Sequence, residues 1–117
     1  MIQTAEDGWM RCRYSSFWDV PRAFVFVYQN KGFELESPFE DEIDEYRPDY
    51  YVWDLGNIPP ELIETLTWAE LEARRVRQLD DVPVSAFKFH RVRERLDGRS
   101  FARVRFAGAV PAFMQTT

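Results

Sequence analysis

Hydrophobic and polar positions alternate along this chain in two rhythms, one of period two and one nearer to a helical turn. The clearest case of the first is AFVFVYQ, residues 23–29: Phe24, Phe26 and Tyr28 take one side, Ala23, Val25 and Val27 the other. Successive strand side chains face opposite ways, so a segment apolar on both sides predicts a central strand buried above and below. WMRCRYSSF, residues 9–17, reads as a preceding strand with looser alternation. DVPR separates the two, because Pro21 locks its own φ and drives Val20 toward extended backbone. Asn30 to Gly32 supply a turn, and FELESPF (33–39) follows as the hairpin partner, with Phe33, Leu35 and Ser37 on one face and Glu34 and Glu36 on a wet one. DYYVWDL, residues 49–55, is a further strand. It must bury one side, so either Tyr51 and Trp53 or Tyr50 and Val52 belong to the core.

The second rhythm begins after Gly56, Asn57 and the Pro59-Pro60 pair, which end the strand and suit a first helical turn. Over residues 61–79, Leu62, Leu66, Ala69, Ala73 and Val76 recur at spacings of four and three, which predicts one long helix with Trp68 and Leu71 off the stripe. Thr67 to Glu70 match a capping box, which leaves open a restart of the helix at Thr67. VSAFKFHRV (84–92) and SFARVRF (100–106) then flank RERLDGR, whose Asp97-Gly98 is a tight-turn signal. The order β-β-β-β-α-β-β predicts an α+β domain over residues 1–117. It comprises an antiparallel sheet of about six strands with one main helix packed on a face, and residues 1–8 are expected to fray.

Composition adds boundaries to this picture. A chain of 117 residues, 45% hydrophobic and 16% aromatic, has the apolar surface for one packed core and is unlike a disordered segment. No apolar run approaches the ~20 residues that span a bilayer. The start, MIQTAEDGWMRCRY, lacks the basic and apolar regions of a signal peptide, so a cytoplasmic location is expected. Lys31 and Lys88 are the only lysines beside many arginines, a usage that fits a GC-rich bacterial genome. Cys12 stands alone, which rules out a disulfide framework and a cysteine zinc site.

Charge changes the picture most. Residues 34–54 carry nine carboxylates against Arg47, a local net of −8, whereas residues 74–105 carry a local net of +6. The acidic stretch, SPFEDEIDEYRPDYYVWD (37–54), has the oxygens of a calcium loop but no glycine for its sharp turn, so no metal is expected. Its carboxylates read as uniformly exposed, whereas an acid/base pair needs two different environments. Pro48-Asp49 lacks the E-x-K partner of a nuclease pattern. His90, the single histidine, reads as a surface strand residue beside Lys88, and nothing in its spacing pairs it with Cys12 as a nucleophile dyad. No glycine-rich phosphate loop occurs. These absences lead to the expectation of a non-catalytic protein without cofactors.

Arg91, Arg93 and Arg95 alternate along one expected strand, and Arg103 and Arg105 along the next with Phe101 on the same side. Such a face is a test for single-stranded nucleic acid, but an acidic protein is repelled by polyanions at long range, and a solvated sheet face is the preferred reading. Protein recognition fits the acidic stretch better. Phe39, Tyr46 and Tyr50 are interleaved with Glu40, Asp41, Glu42, Asp44, Glu45 and Asp49, combining aromatic contact area with a field that attracts a basic partner.

YSSFWDVPRAFVF followed by FEDEIDEYRPDYYVW resembles small bacterial proteins, among them the acidic immunity proteins that neutralise a toxin encoded beside them. The resemblance covers residues 14–54. It implies that Glu40 to Asp49 face a basic toxin, often a nuclease whose active site the carboxylates block as a phosphate backbone would. The arginine-rich C-terminal hairpin departs from a uniformly acidic inhibitor. The reading is therefore a protein-binding domain, an inhibitor or immunity protein with a basic protein partner. The alternative is a small-molecule-binding or self-associating domain, in which the two-faced strand 23–29 lines a cavity and opposite charges promote a homodimer.

Overall fold

The computed structural model describes residues 8–115, so the expected fraying of residues 1–8 lies, except for Gly8, outside the described residues. In chain order the elements are β1 (Met10–Phe17), β2 (Pro21–Tyr28), β3 (Lys31–Glu36), β4 (Phe39–Glu40), β5 (Glu45–Tyr46), β6 (Asp49–Asn57), α1 (Leu62–Thr65), α2 (Trp68–Glu72), β7 (Arg77–Pro83), β8 (Phe87–Phe89), β9 (Glu94–Leu96) and β10 (Arg99–Phe106). Short 3-10 turns occupy Val84–Ala86 and Ala112–Met114. Eight strands form one antiparallel sheet in the order β7-β6-β3-β2-β1-β10-β8, with β9 pairing β10; β4 and β5 make a small separate hairpin. The sheet is therefore larger than the six strands expected, and helix is a minor component.

β2 lies at the centre and is buried along nearly its whole length. One of its faces, with Phe24 and Phe26, enters an aromatic core containing Phe33, Tyr50, Phe87 and Met114. The other, with Val25 and Val27, is covered by Leu55, Ile58, Ile63 and Leu71. Of the residues of β2, Arg22 alone lines either of the two clefts described below. Both faces of this strand are closely packed.

The sheet curls into a half-barrel. Val84–Ala86 alone links β7, at one end of the strand order, to β8, at the other. From Pro83 to Phe87 the chain takes four Cα steps, about 14 Å at most, so the two sheet ends must approach each other. The Val84 N–H donates to Pro48 O and the Ala107 N–H to Ala86 O, tying this link to both sides.

The single long helix is not formed. α1 stops because Leu66 is extended, and α2 restarts with the Thr67 hydroxyl accepting from the Glu70 N–H while the Glu70 carboxylate accepts from the Thr67 N–H. The capping box competes successfully with continuity of the stripe. Leu71, off the expected stripe, is fully buried, whereas Val76 on it is 66% exposed. Residues 77–83 become β7 because the edge of β6 offers unpaired backbone: the Val76 N–H donates to Asp54 O, and pairing continues to Asp49 opposite Pro83. Thr67 is thus the break that the sequence left open.

Glu34 overturns a second expectation. It lies on a covered face, not a wet one, because Arg75, in the link from α2 to β7, clasps both carboxylate oxygens at 2.7 Å. Among the described residues no helix is long and apolar enough to cross a membrane.

Candidate protein-binding site

The acidic stretch folds as the β4–β5 hairpin. Phe39 pairs with Tyr46 and Glu40 with Glu45, while Asp41 to Asp44 form the turn, closed by Ile43 N–H to Glu40 O and Asp44 N–H to Asp41 O, both 3.3 Å. Asp44 adopts a left-handed φ of 54°, a conformation that aspartate tolerates better than most residues. Like charges stand opposite one another at Glu40 and Glu45, which costs stability in a strand pair. The hairpin is anchored from its base: the Arg47 N–H donates to Pro38 O, and the Ser37 hydroxyl makes a short hydrogen bond to Arg47 O.

Arg47 does not neutralise the turn. Its guanidinium pairs with Asp81 on β7 and lies 4.2 Å from the Tyr51 ring centroid, so it serves as a strut to the sheet. Among the described residues no ion pair engages Glu40, Asp41, Glu42, Asp44 or Glu45. Of these, Asp41, Glu42, Asp44 and Glu45 are exposed and Glu40 is half-buried.

Beside the hairpin the β1–β2 turn contributes Trp18, which is 71% exposed, and Asp19, and the start of β2 contributes Arg22. With Phe39, Asp44, Glu45 and Tyr46 they line an open cleft of about 570 Å³. Its floor is held rigidly. Arg22 donates to Asp19 Oδ1 from Nε at 3.0 Å and Nη2 at 2.6 Å, and to the Ser37 hydroxyl at 3.1 Å, while stacking 4.6 Å from the Tyr46 ring centroid. Asp19's carboxyl is held below its ordinary range: slight burial pushes the other way, but the Arg22 hydrogen bonds prevail. Phe39 packs edge-on against Tyr46 at 5.1 Å and stays 46% exposed; Ile43 at the hairpin tip is exposed as well.

Tyr50 must be withdrawn from the expected binding residues. It is fully buried, its hydroxyl donates to Pro21 O at 2.8 Å, and burial pushes its pKa up. Tyr50 and Val52, not Tyr51 and Trp53, supply the core face of β6, because that parity places them over Phe24 and Phe87. Asp49 is half-buried at the start of β6. The remaining expected residues gather on the hairpin, and Trp18, Asp19, Arg22 and Ile43 were missed. An exposed tryptophan in a polar inter-strand turn was the available signal for the first.

Other candidate chemistry is not assembled. Cys12 is buried in the aromatic core and its thiol is pushed up to about 12, chiefly by burial, the opposite of an activated thiolate. His90 Nδ1 accepts from the Val92 N–H at 3.1 Å, and its ring meets Trp9 edge-on. Among the described residues no three His, Cys, Asp or Glu side chains converge as a metal site. The expected basic face is also broken. The strand stops after Phe89 and resumes at Glu94, Arg93 and Arg105 stack on Phe17 and Trp9, and Phe101 is buried beneath Arg11.

No family model matches the chain, and neither the curated proteins nor the solved structures contain a match.

Proposed function

We propose that the chain is a non-catalytic protein-binding domain, acting as an inhibitor or immunity protein, that docks its β4–β5 hairpin and the adjoining cleft on a basic protein. The observation that carries this reading is the conjunction of exposed Trp18, Phe39 and Ile43 with five carboxylates that have no ion-pair partner among the described residues. Exposed aromatics are costly in water and serve as interface anchors, while free carboxylates attract and orient a cationic partner. The cleft suits a lysine or arginine side chain. Asp44 and Glu45 supply charge, and the Trp18 and Phe39 rings supply faces for a cation. A cytoplasmic site of action belongs to the same reading.

The test is affinity capture from source-cell lysate at low and high salt, beside a variant with Glu40, Asp41, Glu42, Asp44 and Glu45 changed to amides and a second with Trp18→Ala. One near-stoichiometric basic protein, lost from both variants and weakened by salt, is the expected result, since exposed charges are screened within about 10 Å at 0.1 M. Unchanged capture by both variants refutes this interface.

A further inference from the structure

A second, smaller cleft of about 280 Å³ has the opposite electrostatic character. It is lined by Arg13, Tyr14, Ser15, Trp68, Arg95, Gly98, Arg99 and Ser100, and no carboxylate contributes to it. Three features of the fold assemble these residues. The register between β1 and β2 shifts between Tyr14 and Ser16, and a bulge of this kind re-aims the side chains around it. The β9–β10 turn, with positive φ at Asp97 and Gly98, returns the chain so that Arg95 stands opposite Ser100, itself opposite Tyr14 on β1. The capping box at Thr67 sets Trp68 at the first position of α2.

Among the described residues no salt bridge engages Arg13, Arg95 or Arg99, although the charge of Arg99 reaches the exposed Glu70 carboxylate. Arg13, 7% exposed, donates to Ile63 O at 3.2 Å and makes a short bond to Leu66 O. Arg99 donates from Nη2 to Thr65 O at 3.1 Å, while its buried Nε has no hydrogen-bond partner among the described residues. Both thus rest on carbonyls around the end of α1, which position a guanidinium but do not cancel its charge. Arg13's pKa is lowered, first by burial and then by the positive Arg99. No hydrogen bond or ion pair joins the Arg95 guanidinium to another described residue. The nearby carboxylates are engaged or outside the lining: Glu70 accepts from the Thr67 N–H, Glu94 pairs with Arg11, and Asp97 lies exposed in the turn.

We propose that this cleft binds the phosphate group of a small molecule, gripped by Arg95 and Arg99 with the hydroxyls of Ser15 and Ser100 completing its shell. Guanidinium forks match phosphate oxygens and remain charged at any working pH, and Arg13 adds a fixed positive field from below. The volume lies just under the ~300–1,000 Å³ of ordinary ligand sites, so the cleft encloses a phosphate and leaves most of any larger substituent at its rim. The half-buried Trp68 offers a ring face at the rim for such a substituent.

Isothermal titration of the intact chain with inorganic phosphate, at constant ionic strength, tests the site. One phosphate per chain is expected, with affinity about tenfold weaker in Arg95→Gln, the loss of one charge-assisted contact, and unchanged in Arg91→Gln, an exposed arginine outside the cleft. Arg95 is exposed and leaves the fold intact, which circular dichroism verifies. Titration with adenosine monophosphate separates the two sources of the same chemistry: tighter binding than inorganic phosphate assigns a phosphomonoester whose substituent carries an aromatic ring, and equal or weaker binding assigns the free anion. No heat of binding with either probe, or equal weakening in both variants, overturns the proposal.

Discussion

Arg75→Ala is the perturbation whose cost follows most directly from the structure. The Glu34 side chain is only 2% exposed, and Arg75, 30% exposed, is its one cationic partner among the described residues. Burial pushes the Glu34 pKa above its ordinary value and outweighs Arg75, which pulls it down; Glu72 and Glu36 push it further up. The less enclosed Arg75 shows the other side of the pair, its own pKa raised first by the hydrogen bond to Glu34. Removing the guanidinium leaves a buried carboxylate unpaired, a change that costs about 3–5 kcal/mol. The lower end, about 3 kcal/mol, applies here because water reaches the Arg75 side and the truncation opens it further. For a domain of this size that is a fall in Tm of about 12 °C. Loss of the stacking of Arg75 on Trp53, 4.4 Å from the ring centroid, adds about 0.5–1 kcal/mol. Glu34→Gln removes the desolvated charge together with the pair and should cost less. Glu34→Gln with Arg75→Ala should therefore be more stable than Arg75→Ala alone. The sign of the pH effect is set by a carboxyl whose folded pKa is raised. Its penalty is fully present above that raised value and disappears as pH falls below the unfolded value of about 4.5. The deficit of Arg75→Ala relative to wild type should accordingly shrink between pH 7 and 4.5. Urea denaturation followed by tryptophan fluorescence at several pH values measures all of this. A deficit under 1 kcal/mol at pH 7, or a double variant no better than the single, would show that Glu34 is not held as an uncompensated charge.

Three further outcomes follow from the packing. Gly32→Ala places a Cβ 2.6 Å from Ile58 Cγ2 and 3.2 Å from Leu55 Cβ, so the β3–β6 seam must shift, and chemical denaturation should show a loss of about 1–3 kcal/mol. Tyr50→Phe strands the Pro21 carbonyl in the core and should cost about 1–2 kcal/mol by thermal melting while leaving partner capture unchanged; lost capture would return Tyr50 to the interface. Cys12, buried with its thiol pushed up to about 12, should react with a thiol reagent at pH 8 no faster than the protein opens. Rapid labelling of the folded protein would contradict its burial.

The period-two segments were legible because a strand side chain reports its own face. Phe24 to Val27 occupy both sides of the central strand, as their pattern requires, and Asp97-Gly98 forms the expected tight turn. Glu34 was misread because alternation records polarity, whereas its burial depends on Arg75, 41 residues away. Of the candidate site, the acidic residues Glu40 to Glu45 and the aromatics Phe39 and Tyr46 were visible as composition. Their junction with Trp18 and Asp19 was not, since it depends on how two turns are set side by side.

What the sequence by itself determined is whatever one residue and its near neighbours decide: the buried central strand, the capping box at Thr67, the turns and the concentration of negative charge in one hairpin. The tertiary structure decided the fate of residues 73–83 and the choice of Tyr50 and Val52 over Tyr51 and Trp53 as core. Helical spacing at Ala73 and Val76 is a weak local preference. The unpaired edge of β6 and the carboxylates of Glu34 and Asp54 offered hydrogen bonds and ion pairs that a continued helix could not make. Interactions between distant segments win whenever the local alternative leaves backbone or buried charge unsatisfied.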